Sequence, residues 1–243
     1  MKIKHLQKTT LIDYPGKIAC TIFLFGCNFR CGFCHNPELV KKEIESKQKT
    51  KDISEKEVLE FLEKRKNQLE GVCFTGGEPL LTLKKEFIKK IKKLGYKVKI
   101  DTNGSFPEKL NEFLKENLID FISMDIKTIP QEYQNLTNSK IDIKKIEKSI
   151  NIIANSKKLK DYEFRTTILI SHHNKEKVKE MIKWVKESIN RKEKIKKFSL
   201  QGFHNSGKLM SEKYKDEKNT KEPYLKELKK IIKPYSEKTE IKT

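Results

Sequence analysis

Apolar and polar positions follow two different periods along this chain. Short runs rich in β-branched and aromatic residues are typical of strands, and the stretches between them carry apolar residues at the three- and four-residue spacing of amphipathic helices. Six runs predict strands, at residues 18–25, 71–75, 97–101, 121–125, 162–170 and 197–201.

The intervening stretches predict helices. Ser54 and Glu57 have the spacing of a capping box and precede an amphipathic stretch. Further helices are predicted over residues 84–94, 107–117, 143–155, 175–189 and 222–232. Strands that alternate with such helices indicate βαβ units and a parallel sheet. Six units are too few for an eightfold barrel, so the expected fold class is α/β, a partial (βα)6 TIM-type barrel with parallel strands.

The chain is expected to form a single domain. Residues 1–16 end in a Tyr14-Pro15-Gly16 turn and predict an N-terminal hairpin or cover. Residues 17–207 are expected to form the barrel core, and residues 208–243 a charged C-terminal extension. Residues 41–51 are polar and lack periodicity, which is typical of a mobile loop.

Composition limits the class of protein. The 243 residues are 35% hydrophobic, which is enough for one sizeable core. No apolar run approaches the length of a membrane span, so no membrane association is expected. Residues 1–5 carry no apolar segment behind their charges, so the sequence predicts no secretory signal and a cytoplasmic location.

The formal net charge of +20 raises the question of nucleic-acid binding. Only four of the 54 basic residues are arginine, however, and the lysines are interleaved with glutamate. Bidentate recognition of bases and phosphates favours arginine, so this composition favours a solvated lysine surface and no nucleic-acid partner. A basic face can also steer acidic protein partners.

Three of the five cysteines are clustered. Cys27, Cys31 and Cys34 have CxxxCxxC spacing directly after the first predicted strand, whereas Cys20 and Cys73 stand alone in apolar runs, where a buried thiol is expected. Three thiolates of one loop can hold three irons of a cubane cluster and leave the fourth iron open to a small molecule. A zinc site with His35 as fourth ligand is the alternative, but Cys34 and His35 are adjacent, and zinc ligands are usually spaced.

Polar motifs follow four of the other predicted strands. They are TGGEP at 75–79, DTNG at 101–104, DIK at 125–127 and QGFH at 201–204. In barrels of this type the carboxyl ends of the strands carry the active site. With the cysteine loop, five loops are therefore expected to converge on one mouth.

These motifs resemble those of the radical S-adenosylmethionine enzymes, and more closely those of the enzymes that activate glycyl-radical proteins. The matching text is CNFRCGFCHN at 27–36 together with GGEP, DTNG and DIK, and the resemblance covers residues 11–208. The stretch LIDYPGK at 11–17 is most similar to the activating proteins of anaerobic ribonucleoside-triphosphate reductase. Pyruvate formate-lyase activating enzymes are the alternative.

The resemblance implies one 4Fe–4S cluster on Cys27, Cys31 and Cys34 that cleaves S-adenosylmethionine reductively. The resulting 5′-deoxyadenosyl radical would remove hydrogen from a glycine of a partner glycyl-radical enzyme, with flavodoxin or ferredoxin as electron donor. No catalytic residue beyond the cluster ligands is assigned. A radical enzyme acting on a small molecule and a metal-containing nucleic-acid-binding protein remain as alternatives.

The resemblance also implies which residues bind the cofactor. They are Phe33, Cys34, His35, Gly76, Gly77, Glu78, Asp125, Ile126, Lys127 and His204. Phe33 would pack on the adenine, and a side chain at Gly77 is expected to block the methionyl group while leaving the cluster intact. Asp101 and Asp125 are expected to hold a monovalent cation, as in related activating enzymes. The pair His172 and His173 is given no role.

Overall fold

The computed structural model describes residues 1–41 and 51–243, so the predicted mobile loop lies outside the described residues except at its two ends. The described residues form one eight-stranded sheet whose strands are ordered as in the sequence. The strands are β1 (Ile3–Thr10), β2 (Ala19–Leu24), β3 (Gly71–Gly76), β4 (Lys97–Thr102), β5 (Phe121–Asp125), β6 (Asp161–Ile168), β7 (Ile195–Gly202) and β8 (Ser236–Lys242).

All neighbouring strands are parallel except β1 and β2, which form an antiparallel N-terminal hairpin. Its first strand lies within residues 1–16 as expected, but its second strand is the first strand of the predicted barrel core. The α-helices are α1 (Glu55–Lys64), α2 (Pro79–Thr82), α3 (Lys85–Lys93), α4 (Pro107–Lys115), α5 (Tyr133–Thr137), α6 (Ile143–Asn155), α7 (Lys175–Ser188) and α8 (Glu222–Ile232). The capping box of Ser54 and Glu57 begins α1 as predicted. The α/β class and the partial barrel of parallel strands are confirmed.

The two faces of the sheet differ in polarity. Apolar residues at alternate strand positions, such as Ile100 in β4 and Phe164 in β6, are fully buried in a core shared with the helices. The positions between them carry charged side chains, among them Lys99, Asp101 and Arg165. The core therefore lies between sheet and helices, and the inner face of the barrel is polar. No helix of the described part of the chain is long and apolar enough to cross a membrane.

Strand β8 lies in the stretch that the sequence predicts as a charged extension. Its sequence SEKTEIK shows neither the apolar alternation of a strand nor the apolar spacing of a helix, so the pattern does not predict it. It pairs with β7 from Ile195–Ser236 to Gln201–Lys242. Lys242 Nζ donates to both carboxylate oxygens of Glu163, at 2.8 and 2.9 Å, so an ion pair adds to the backbone pairing with β7 and the packing of Ile241 in attaching this strand to the barrel.

The carboxyl end of β3 lies unusually close to the end of β2. A Cβ at Gly76 would stand 2.4 Å from the carbonyl oxygen of Leu24, and a Cβ at Gly77 would stand 2.1 Å from that of Gly26. Gly76 also has φ +118°, which disfavours any other residue. Because Gly26 directly precedes Cys27, this contact leads us to expect that a side chain at Gly77 disturbs the cysteine loop as well as the methionyl group.

We expect Lys242→Met to destabilise the folded chain by about 2 kcal/mol near neutral pH, because it leaves the buried Glu163 carboxylate short of a partner. Burial raises the pKa of Glu163, but Lys242, Ser123 and Ser199 lower it more, to about 2 from an ordinary value of 4.5. A carboxyl whose pKa is lower in the folded state stabilises the fold above its unfolded pKa, and this contribution is lost as the pH falls through 4.5 towards 2.

The difference between variant and wild type should therefore shrink in acid. Urea unfolding of the metal-free chain at several pH values measures it. Lys238→Met is the matched control, since Lys238 lies on the same strand and pairs with Glu240 on the exposed surface. An equal loss in both variants, or a loss independent of pH, would contradict the role given to Glu163.

We expect Gly77→Ala to lower the iron content after anaerobic reconstitution and to destabilise the fold by about 3 kcal/mol, because its Cβ displaces Gly26 at the start of the cysteine loop. Gly71→Ala is the control, because it lies at the other end of β3 and its Cβ would stand 2.5 Å from the Tyr14 ring, away from the cysteine loop and without a left-handed φ. Full iron loading of Gly77→Ala would show that this close approach does not position the cysteines.

Candidate functional site

One cavity lies at the carboxyl ends of the parallel strands. Including its open mouth, it holds about 900 Å³ not filled by protein atoms. It is lined from the ends of six strands, so the predicted convergence of loops is present. The lining residues are Cys27, Phe29, Cys31, Phe33, Cys34, His35, Asn36, Val40, Thr75, Gly76, Gly77, Glu78, Asp101, Thr102, Asn103, Asp125, Lys127, Arg165, Thr167 and Gln201.

The three clustered cysteines all reach this cavity, and all three are free thiols. Arg30 folds back over their loop and donates to the carbonyl oxygens of Cys27, at 2.5 Å, and Phe29, at 2.8 Å. Burial raises the pKa of Cys27 to about 12 and that of Cys31 to about 11. A bound metal displaces the thiol proton despite this raised pKa, because a coordinating thiol is deprotonated outright.

The donors at this wall of the cavity are three thiols from one loop, a set that fits a cubane cluster because each thiolate can bind a different iron. Among residues 1–41 and 51–243, no three His, Cys, Asp or Glu side chains form a group that could hold one metal ion. Cys20 and Cys73 are completely buried and line no part of this cavity, as the sequence predicts.

Glu78 links two of the converging loops. Its buried carboxylate accepts hydrogen bonds from the backbone N–H of Leu80, at 3.0 Å, and of Asn103, at 2.6 Å, and from the hydroxyl of Thr102, at 2.8 Å. Burial raises its pKa to about 7, although these hydrogen bonds act in the opposite direction. Both oxygens are thus engaged by protein groups, and Glu78 holds the GGEP loop against the DTNG loop.

The DTNG loop in turn reaches the cysteine loop. Asn103 Nδ2 donates to Asn28 Oδ1 at 3.0 Å and lies 3.9 Å from Cys27 Sγ. Asn28 Nδ2 donates to the hydroxyl of Ser105 at 2.9 Å. The cysteine loop is therefore anchored to the strand β4 side of the cavity by side-chain amides.

A chain of half-buried charges crosses the inner face at the cavity wall. Arg165 Nε donates to Asp125 at 2.5 Å, and its Nη1 lies 3.4 Å from Asp101. Lys127 Nζ donates to the other oxygen of Asp125 at 2.9 Å. Burial raises the pKa of Asp125, but Arg165 and Lys127 lower it further, so it stays ionised far below its ordinary range.

Lys127 connects this network to the cysteines. Burial lowers its pKa, but Asp125 raises it more, so the ammonium keeps its proton. Its charge lowers the pKa of Cys31 and Cys34, against the larger effect of burial. Its Nζ also lies 5.9 Å from the centre of the Phe33 ring, which lines the cavity.

Two predicted cofactor residues do not line the cavity. The side chain of Ile126 is fully buried in the apolar core, and its backbone N–H donates to the carbonyl of Arg165. The side chain of His204 is exposed, and its carbonyl oxygen lies 2.6 Å from His35 Nε2. His35 does line the cavity, stacked on Phe203. Contacts of all these residues with a cofactor stay predictions.

The structure adds Arg165 and Thr167, which the sequence did not single out, and places Gln201 of the QGFH motif beside them. Arg165, Thr167 and Gln201 enter the cavity from β6 and β7. His173 is completely buried, accepts from the N–H of Leu169 at Nδ1 and donates from Nε2 to the carbonyl of Lys127. Burial lowers its pKa to about 4, so it is neutral. For Arg165 the sequence offered one signal, a single arginine within a predicted strand. Nothing in the local sequence distinguishes His173 from His172.

Sequence comparison gives matches over most of the chain. Residues 21–185 match the family model of the radical SAM superfamily. An inferred glycyl-radical enzyme activating enzyme of Methanocaldococcus jannaschii is 32% identical over 99% of this chain and 95% of its own length. A pyruvate formate-lyase-activating enzyme of Listeria monocytogenes is 32% identical over 56% of this chain and 57% of its own length.

Solved structures agree in fold. A domain of a pyruvate-formate lyase-activating enzyme from Bacteroides vulgatus covers 72% of this chain and 99% of its own, with a TM-score of 0.55 and 18% identity. Streptococcus suis SuiB, bound to the precursor peptide SuiA, covers 90% of this chain and 47% of its own, with a TM-score of 0.66 and 16% identity. At these identities the likeness concerns the fold alone. The family match and the cysteine loop at the mouth of the barrel together establish that this chain is an enzyme of the radical SAM superfamily.

Proposed function

We propose that this protein activates a glycyl-radical enzyme by reductive cleavage of S-adenosylmethionine at one 4Fe–4S cluster. The observation that carries the proposal is the convergence of Cys27, Cys31 and Cys34 with the GGEP, DTNG and DIK motifs around a single cavity. The relative from Methanocaldococcus jannaschii, similar over nearly the whole chain, is named for this activity.

Different residues of the chain bind the cluster and the parts of the cofactor. Three thiolates hold the cluster, and Lys127 and Asp125 offer a cation and an anion to the polar parts of the cofactor. Phe33 offers an apolar ring at the same wall of the cavity. When bound, the cluster and cofactor supply one-electron cleavage to methionine and a hydrogen-abstracting radical, and the polar barrel interior keeps the reacting groups oriented.

The partner we propose is an anaerobic ribonucleoside-triphosphate reductase. The stretch LIDYPGK at 11–17 supports this choice, and it follows β1 as the connection to β2. A pyruvate formate-lyase-type partner is the second candidate, favoured by the similarity to pyruvate formate-lyase-activating enzymes over about half of the chain. The five free thiols agree with a proposed cytoplasmic location.

A flavodoxin or ferredoxin is the proposed electron donor. A second cavity lies beside the cysteine loop, and three basic side chains, Arg30, Lys41 and Lys213, line it. Such electron carriers are usually acidic, and opposite charges steer the encounter between proteins. This cationic wall gives the donor an approach close to the cysteines.

We expect Cys27→Ala, Cys31→Ala and Cys34→Ala each to bind almost no iron after anaerobic reconstitution, because each removes one of three cluster ligands. Cys20→Ala and Cys73→Ala are matched controls and should keep wild-type iron and absorbance. Iron and sulfide analysis with visible spectroscopy measures the outcome. Loss of iron from Cys73→Ala as complete as from Cys31→Ala would contradict the three-ligand site. One zinc per chain without visible absorption would favour the nucleic-acid-binding alternative.

We expect the reduced, reconstituted enzyme to release 5′-deoxyadenosine and methionine and to generate a glycyl radical on the reductase. Electron paramagnetic resonance of the mixture detects that radical, and Cys31→Ala is the negative control. The reductase and a pyruvate formate-lyase from the same cells are tested side by side. A radical on the lyase alone would transfer the proposal to the second partner. Cofactor cleavage with no radical on either protein would favour a small-molecule substrate.

A further inference from the structure

Lys99 is a buried lysine on the inner face of the barrel. It lies on β4, two residues before Asp101, and its side chain is only 2% exposed. Its ammonium donates to Asp101 Oδ1 and lies 3.6 Å from Cys73 Sγ. Burial lowers the pKa of Lys99, but Asp101 raises it more, so the ammonium stays charged.

Lys99 is the first member of a row of ion pairs on the inner face. Asp101 Oδ1 contacts Lys99, and Asp101 Oδ2 contacts Arg165. Asp125 Oδ1 contacts Arg165, and Asp125 Oδ2 contacts Lys127. Each of the four carboxylate oxygens therefore already has a protein cation as partner.

This arrangement does not suit the monovalent cation expected between Asp101 and Asp125. Such an ion needs oxygen ligands, and it would enter beside three protein cations whose charge already exceeds that of the two carboxylates. At this half-buried site the effective dielectric constant is below that of water, so like charges repel one another more than they do in solution. The two aspartates alone would attract a cation, but Lys99 supplies that charge from within the chain.

We propose that Lys99 is a built-in cation that replaces the monovalent ion at Asp101, so that this enzyme binds its cofactor without sodium or potassium. Lys99 is a positioning residue here, because it acts through Asp101 and does not line the cavity. This inference rests on the proposed function only in taking S-adenosylmethionine as the ligand.

Cation binding is tested first on the metal-free wild-type chain, without cluster or cofactor. Thallium(I), a potassium surrogate observed directly by NMR, is titrated into the protein. We expect no saturable binding that depends on Asp101, and we expect Lys99→Gln to acquire such binding. Saturable binding to the wild type that Asp101→Asn abolishes would overturn the proposal.

Cofactor affinity is tested second, on the reconstituted enzyme, by calorimetry in potassium chloride and in tetramethylammonium chloride at equal ionic strength. The wild-type dissociation constant should agree between the two salts within about twofold, whereas Lys99→Gln should bind about tenfold more weakly without potassium. Lys97→Gln is the matched control, because Lys97 lies at the amino end of the same strand, where its exposed side chain pairs with Asp120 rather than with Asp101. A wild-type enzyme that needs potassium as strongly as Lys99→Gln would overturn the proposal.

The two measurements separate the possible failures. If Lys99→Gln does not fold, the wild-type titrations alone still decide, and Lys99→Met, which keeps the length of the side chain without its charge, replaces it. If the wild type binds no cofactor in either salt, the proposed function fails, and the thallium titration still decides whether Asp101 takes a cation.

Discussion

The ionic chain from Lys99 through Asp101, Arg165 and Asp125 to Lys127 is the interaction on which the rest of the site depends. Removing charges from water costs several kcal/mol for each ion, and only well-placed partners offset that cost. These partners come from β4, β5 and β6, so the three strands must keep one register for the charges to meet. The network therefore restrains the inner face of the barrel, and its last member places a cation beside the cysteine loop.

The loops of the mouth are joined to this framework by polar contacts rather than by apolar packing. Glu78 binds the GGEP loop to the DTNG loop, and Asn103 binds the DTNG loop to Asn28 beside the first cysteine. His173 holds the carbonyl of Lys127 from the loop after β6. Because each contact crosses between strands, a shift in one loop is transmitted to the others. A cluster site of this kind is preorganised by residues that themselves bind no cofactor.

The sequence predicted six parallel strands, the main helices and the loops that meet at one mouth, because apolar periodicity and polar motifs are local properties. It missed β8, because that charged sequence is held by backbone pairing with β7 and by the contact of Lys242 with Glu163, a partner 79 residues away. For Ile126 and His204 it predicted cofactor contacts, which stay predictions, although neither side chain lines the cavity. The strand pleat directs the Ile126 side chain into the core, and the loop after β7 directs His204 to solvent.

By itself the sequence determined the class of chemistry. Its signals are local: the spacing of three thiols, the glycines before Glu78, and the alternation of strand and helix. Each lies within a short stretch of chain, where the distance between residues is limited by the covalent backbone. Only the tertiary structure decided what those groups contact. The close approach of Gly77 to Gly26, the pairing of Lys99 with Asp101 beside Arg165, and the burial of His173 all depend on which strands become neighbours. The energies of buried charges and backbone contacts depend on distances across the fold, and no local pattern of residues specifies those distances.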